Sequence, residues 1–467
     1  MAERHDAQGW WQDEAGPVEP YAPLEGELDA DVVVVGGGYS GMWSAWFARQ
    51  LEPEAEIVLL ERDVCGSGPS GRNGGFVNEM WFSLPTLRER FGDEPALALA
   101  RASTETVAGV GRWCEEQDVD AWFRQGGYLD VSTAPAHDGA TDDIVAAARD
   151  LGEAGACVPL TADEVAARCA SPMFRGGALF PGAATVQPAR LAHGLRERLV
   201  AAGVRVYEHS PMKRFSETPA GVEVATVGGR VRAGSAVLAA GPWLARLRPL
   251  RRRMTLTTSH MVITEPVPDL LEEIGWTGSE CITDSRVMLH YFRTTPDGRI
   301  AFGWGGGPVI PGARMGDRVD VSPDVIADIE EHLWRFFPGL EERRIEHAWG
   351  GPIDVSPSHV PSIVSLPSGR AFAAFGYTGN GVGPSHLFGQ ILARLALDRR
   401  DELTALPIVD PPPSWRVPPE PFRYAGGTII RRALIRKESA EERAVEPSRL
   451  TSFIADFPHR IGIHVGR

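Results

Sequence analysis

Three glycines and one acid carry the first chemical signal in this chain. Gly36, Gly38 and Gly41 stand at G-x-G-x-x-G spacing within DVVVVGGGYSG, and Glu61 follows twenty residues after the last of them. The first glycine permits a tight turn. The second lets backbone approach a pyrophosphate, and the third lets the next helix pack closely on the preceding strand. That helix presents its free N–H groups and positive dipole end to the phosphates. A carboxylate at position 61 accepts ribose hydroxyls, which favours NAD or FAD over NADP.

Such a turn works only if the right elements flank it. Residues 32–35 form a wholly apolar β-branched run, as a strand buried on both faces requires, and residues 57–60 (IVLL) read as a second strand. Strand, glycines, helix, strand and acid thus occur in order within about thirty residues, the context the motif demands. Further helices are expected at 85–117, 141–154, 162–169, 187–202 and 323–336. Residues 204–208 supply a third strand of the nucleotide domain. Residues 222–225 with Val231 form a hairpin, and 236–240 are a separate buried strand. Segments within 255–345 (MVITEP, VMLHYFR, RIAFGWG) read as an antiparallel sheet, and 371–375 as a short apolar strand. Residues 1–29 read as an irregular arm containing Trp10 and Trp11. Seven prolines within 407–421 mark a linker.

Composition excludes several classes. A chain of 467 residues is too long for one core. No apolar stretch reaches transmembrane length, and the amino terminus has no signal-peptide core. Cys65, Cys114, Cys157, Cys169 and Cys281 are scattered without a C-x-x-C pair, so reduced cytoplasmic thiols are expected and no metal site. A net charge of −15 disfavours nucleic acid as partner. Lys213 and Lys437 are the only lysines, which leaves Schiff-base chemistry few candidates. Residues 421–467 hold nine Lys/Arg against five Asp/Glu, a net +4 on a body of −19, so a solvated face or packing against that acidic body is expected before an anionic surface.

Four segments together resemble the D-amino-acid oxidase superfamily of flavoproteins: DVVVVGGGYSG with Glu61, CGSGPSGRNGGFV at 65–77, VLAAGPW at 237–243, and FGYTGNGVGPSHLFGQILA at 375–393. The resemblance covers residues 30–400. The WW arm, the SGRNGG segment and the GNGV helix are most similar to the branch containing γ-glutamylputrescine oxidoreductase. It implies a mixed α/β chain, with a Rossmann-type FAD-binding domain (30–90, 160–250, 346–400) interleaved with an antiparallel-sheet substrate domain (91–159, 251–345), followed by a linker and basic tail (401–467). It also implies non-covalent FAD and oxidation of a C–N bond of a small-molecule amine, with oxygen or an unknown electron acceptor.

The site residues follow. The loop Ser70, Gly71, Arg72, Asn73, Gly74 and Gly75 lets backbone lie near a flat ring, with Arg72 adding charge near the pyrophosphate. Tyr39, Ser40, Arg62, Ala240, Gly241 and Trp243 join the cofactor set, and Val206 is expected at the adenine edge. Gly379, Asn380, Gly381 and Val382 lead a helix opened by Pro384, whose N–H groups suit charge developing on a reduced flavin. On the sheet, Tyr291 is the first catalytic candidate, then His260, with Arg293 on the Tyr291 face by alternation. Relatives that oxidise glycine or D-amino acids clamp a carboxylate with an arginine where Ile353 stands here. Those with a lysine that assists oxygen hold it near Ala301. Asp354 faces a cationic group or serves a turn. An FAD monooxygenase using NAD(P)H, an amino-acid oxidase and a nucleotide-binding module without turnover remain alternatives.

Overall fold

The computed structural model describes residues 4–5, 8–315, 317–412 and 416–463, by backbone alone at 4–5 and 317–318. Parts of the expected N-terminal arm, Pro-rich linker and basic tail, at 1–3, 6–7, 413–415 and 464–467, lie outside the described residues. The chain is a mixed α/β protein built on two large sheets.

The first sheet grows from the apolar run. Val32–Val35 close the ten-residue strand Gly26–Val35 and are buried. They pair in parallel with Ile57–Leu60 on one side (Val33 with Val58) and with Gly229–Leu238 on the other (Val34 with Val237). Arg205–Tyr207 and Ala371–Phe375 extend the parallel core at either edge. The hairpin expected at 222–231 forms, but its second strand runs unbroken into the buried segment expected as a separate strand. The side-chain pattern hides this continuity: residues 229–234 alternate towards solvent, whereas 235–238 are covered on both faces.

Helices Tyr39–Leu51 and Val382–Ala396 pack side by side on this sheet, and glycine sets their separation. A Cβ on Gly41 would stand 1.9 Å from the Gly36 carbonyl oxygen, and one on Gly389 would stand 2.4 Å from Trp43 Cβ. Both helices therefore begin at the same end of the parallel strands, where doubly wound sheets bind ligands.

The second sheet has nine strands. At its centre Thr255–Thr264 pairs antiparallel with Ile345–Val355 and with Ile300–Trp304, which in turn pairs with His290–Thr294. Two of its junctions are parallel, Tyr128–Val131 with Cys281–Asp284 and Arg4–His5 with Ile345–Val355. Gly177–Phe180 and Ile345–Val355 belong here, although the sequence boundaries at 160 and 346 assign them to the nucleotide domain. Helix Pro323–Phe336 covers one face through Phe292, Phe302 and Phe336.

The described parts of the arm and the tail are more regular than the sequence suggests. The arm contains helix Trp10–Ala15, whose buried Trp10 and Trp11 pack with Met261, Ala301 and Trp349. The tail folds as helices Phe422–Glu442 and Arg449–Arg460. Glu438 anchors it by accepting the Val287 and Met288 N–H groups at 2.7 and 3.1 Å, and burial pushes its carboxyl up to about 7. All five cysteines are buried and unpaired, and no helix is long and apolar enough to cross a membrane among the described residues.

A methyl group at position 389 would meet Trp43 Cβ and backbone rather than a flexible side-chain tip. Gly389→Ala should therefore destabilise the fold by about 1–3 kcal/mol, read as a lowered thermal midpoint.

Candidate active site

A cavity of about 1490 Å³ runs from the glycine turn to the second sheet. At one end, Gly36 takes φ 113°, and a Cβ there would lie 2.5 Å from the Ala239 carbonyl oxygen. Glu61 braces the turn from the next strand. Its carboxylate accepts Gly37 N–H at 2.6 Å and Asp63 N–H at 2.8 Å, while burial raises its pKa. Ser70 Oγ accepts Tyr39 N–H at 2.9 Å, and Ser40 Oγ meets Tyr377 OH at 2.6 Å. The turn, the 70–75 loop and the later GYTGNGV segment are thus bonded into one frame. Beyond it, Arg62 lies over the Trp243 ring at 4.6 Å, beside Ala240 and Gly241.

Asn73 sets the loop that follows. Its amide donates to the carbonyls of Pro69 and Ser70 and accepts Gly75 N–H at 2.7 Å. Gly74 lies against the Tyr291 ring, where a Cβ would come within 3.1 Å. Arg72 departs from the expected role: its guanidinium is ion-paired with Asp320 at 2.7 Å, and its carbonyl accepts the Trp349 indole N–H at 2.8 Å.

The second helix start is held from the neighbouring sheet. Asp354 Oδ2 accepts Gly376 N–H at 2.5 Å and the Asp354 carbonyl accepts Thr378 N–H at 3.0 Å, which is the turn role rather than a cationic one. Burial raises its carboxyl to about 6. Gly379, Asn380, Gly381 and Val382 border the cavity, Asn78 donates to Asn380 Oδ1 at 3.2 Å, and the helix opens at Val382, two residues before Pro384.

Tyr291 forms part of the sheet wall. Its hydroxyl meets Ser259 Oγ at 2.8 Å, its ring crosses Gly303, and burial pushes its pKa to about 12. The sheet registers separate it from His260. Tyr291, Gly303 and Met261 form one row, and His260, Trp304 and His290 the next, so His260 points to the opposite face. There it is fully buried, neither ring nitrogen has a hydrogen-bond partner, and burial lowers its pKa to about 4.

Three other expectations shift in the same way. Arg293 shares the Tyr291 face, but its guanidinium is buried beneath the loop, donating to the carbonyls of Val186 (2.5 Å) and Gly75 (3.3 Å). Gly75 packs against Val186 and does not border the cavity; Gly41 also lies off it but sets helix–strand contact, as its place in the motif predicts. Val206 pairs with Leu59 inside the sheet, its side chain in the core, and the chain that reaches the cavity is the following His209–Phe215 stretch. Sequence reasoning also missed Ser259, Asn78 and Phe76 on the walls. Alternation from Met261 would have found Ser259; Phe76 lies in a two-residue strand and Asn78 in the irregular backbone after it, too short a stretch for a periodic signal.

Two helix N-termini and a side-chain-free glycine turn facing one long cavity suit a dinucleotide with a planar ring. The profile of the DAO family, described as FAD dependent oxidoreductase, matches residues 31–395. The chain belongs to this family. It is 28% identical to the gamma-glutamylputrescine oxidoreductase of Escherichia coli (strain K12), over 88% of this chain and 94% of that protein. It is 26% identical to the probable oxidoreductase OrdL of Rhizobium meliloti (strain 1021), over 91% and 94%. Glycine oxidase from Geobacillus kaustophilus shares the fold, with a TM-score of 0.68 and 20% identity over 83% of this chain and 100% of that one. The family implies FAD, and the turn, the 70–75 loop and the 379–382 segment are the residues that would hold it.

Glu61→Ala removes the acceptor of two backbone N–H groups, whereas Glu56 is an exposed partner of Arg205. Flavin content after purification should fall in Glu61→Ala and stay at the wild-type level in Glu56→Ala.

Proposed function

We propose that this chain oxidises the C–N bond of a primary or secondary amine lacking an α-carboxylate, giving an imine that water hydrolyses to an aldehyde or ketone. The observation that carries this reading is Ile353, an apolar side chain on the cavity wall beside Gly379. Ile353 itself supplies no cation for a carboxylate, and two of the six arginines bordering the cavity, Arg72 and Arg431, are committed to Asp320 and to the carbonyls of Gly306 and Gly307. The likeness to gamma-glutamylputrescine oxidoreductase supports an amine substrate.

FAD supplies the two-electron acceptor for hydride. The chain's own part is to bind the amine unprotonated. Ile353, Met261 and Phe76 offer apolar surface that disfavours an ammonium. Tyr291, neutral throughout the working range, offers a hydroxyl held by Ser259 and does not act as a base. We take FAD to be held non-covalently, since the 70–75 loop has no histidine or cysteine, and oxygen to be one acceptor among others, since Ala301 is buried against the tryptophan cluster. The unpaired cysteines support a cytoplasmic setting.

Anaerobic mixing with a panel of amines should bleach the flavin, faster as pH rises through each amine's own pKa. Glycine and D-alanine should leave it yellow, and Ile353→Arg should shift reduction towards them. Bleaching by amino acids alone, or by NADPH alone, would replace this reading with an amino-acid oxidase or a monooxygenase.

A further inference from the structure

Of the nine large apolar side chains exposed on the described surface, seven lie between Phe422 and Phe457. Helix Arg449–Arg460 gathers three of them on one face. Leu450 is 69% exposed, Phe453 49% and Phe457 43%, whereas Ala455 and Pro458 turn inward. At 100° per residue, Leu450, Phe453 and Phe457 share a stripe with Arg449 and Arg460, and the Arg460 guanidinium lies over the Phe453 ring at 4.9 Å. The preceding helix adds Phe422 (71% exposed) and Ile429 (54%) on one side with Arg432 and Arg436.

The charge on this surface is one-sided. Arg432, Arg436, Arg443, Arg449 and Arg460 are exposed between 422 and 463, and Glu446 is the only exposed acid there. A second copy pairing this face with itself would bring basic groups together, and one presenting its remaining surface, where only Val200 and Val227 are large exposed apolar side chains among the described residues, would leave the stripe without an apolar partner. An apolar stripe flanked by arginines matches the interface of an anionic bilayer, with rings at the acyl boundary and guanidinium groups at phosphate level. We propose that the two C-terminal helices dock this protein peripherally on an anionic membrane surface. Phe457, Ile461 and Phe422 also border the main cavity, so the docking face adjoins its rim.

The test is co-sedimentation of the FAD-loaded full-length protein with vesicles of phosphatidylcholine alone or mixed with phosphatidylglycerol. The protein should pellet with the mixed vesicles at low salt, stay in solution with the neutral ones, and be released as salt rises. Leu450→Ser with Phe453→Ser, and separately Arg449→Glu with Arg460→Glu, should each weaken binding roughly tenfold or more with flavin absorbance and thermal midpoint unchanged. Failure to pellet with either vesicle, or binding by both variants at the wild-type level, would overturn the proposal. So would a concentration-dependent dimer abolished by the serine variant, which would assign the face to a second copy.

Discussion

Close approach through glycine is the constraint on which the site depends. Two helix N-termini can serve one ligand only if both helices start at the same sheet end and lie near each other. Gly41 lets the first helix sit on the turn at Gly36, and Gly389 lets the second sit against Trp43. Larger residues would push either helix outward and move its N–H groups away from the cavity. The hydrogen bonds that finish the frame, Glu61 to Gly37, Ser70 to Tyr39 and Ser40 to Tyr377, all presuppose that spacing.

The second sheet contributes by alternation. Its central strands place Tyr291, Met261 and Ser259 towards the cavity and His260, His290 and Trp304 towards the aromatic core behind. One wall is therefore apolar with hydroxyl groups, and the titratable histidines are withheld from it. That division suits chemistry in which the cofactor accepts electrons and the protein orients a neutral amine.

Much of the nucleotide half was legible in the sequence because its signals are local. The valine run, the glycine spacing and Glu61 fall within one βαβ unit, and the structure brings them together at the cavity. What was not legible depends on pairing between distant strands. The face of His260 follows from its register with Trp304 and Gly350, which single-strand alternation does not supply. The buried arginines misled for a related reason. Arg72 and Arg293 sit at positions where charge could meet a ligand, yet Asp320 and the Val186 carbonyl, far away in sequence, take their guanidinium groups. Val206 stands two residues short of the point where its strand leaves the sheet, and the cavity is met by the chain beyond it.

The central claim is that this one cavity would hold a whole dinucleotide, with the Glu61 end suited to the adenylate and Gly74, Tyr291 and Val382 suited to border the flavin ring. Titration of the deflavinated protein with FAD and with FMN, followed by flavin fluorescence, tests it most directly. The account predicts that FAD binds one per chain and that FMN, lacking the adenylate, binds far more weakly. Equal affinity for the two, or binding of neither, would contradict it.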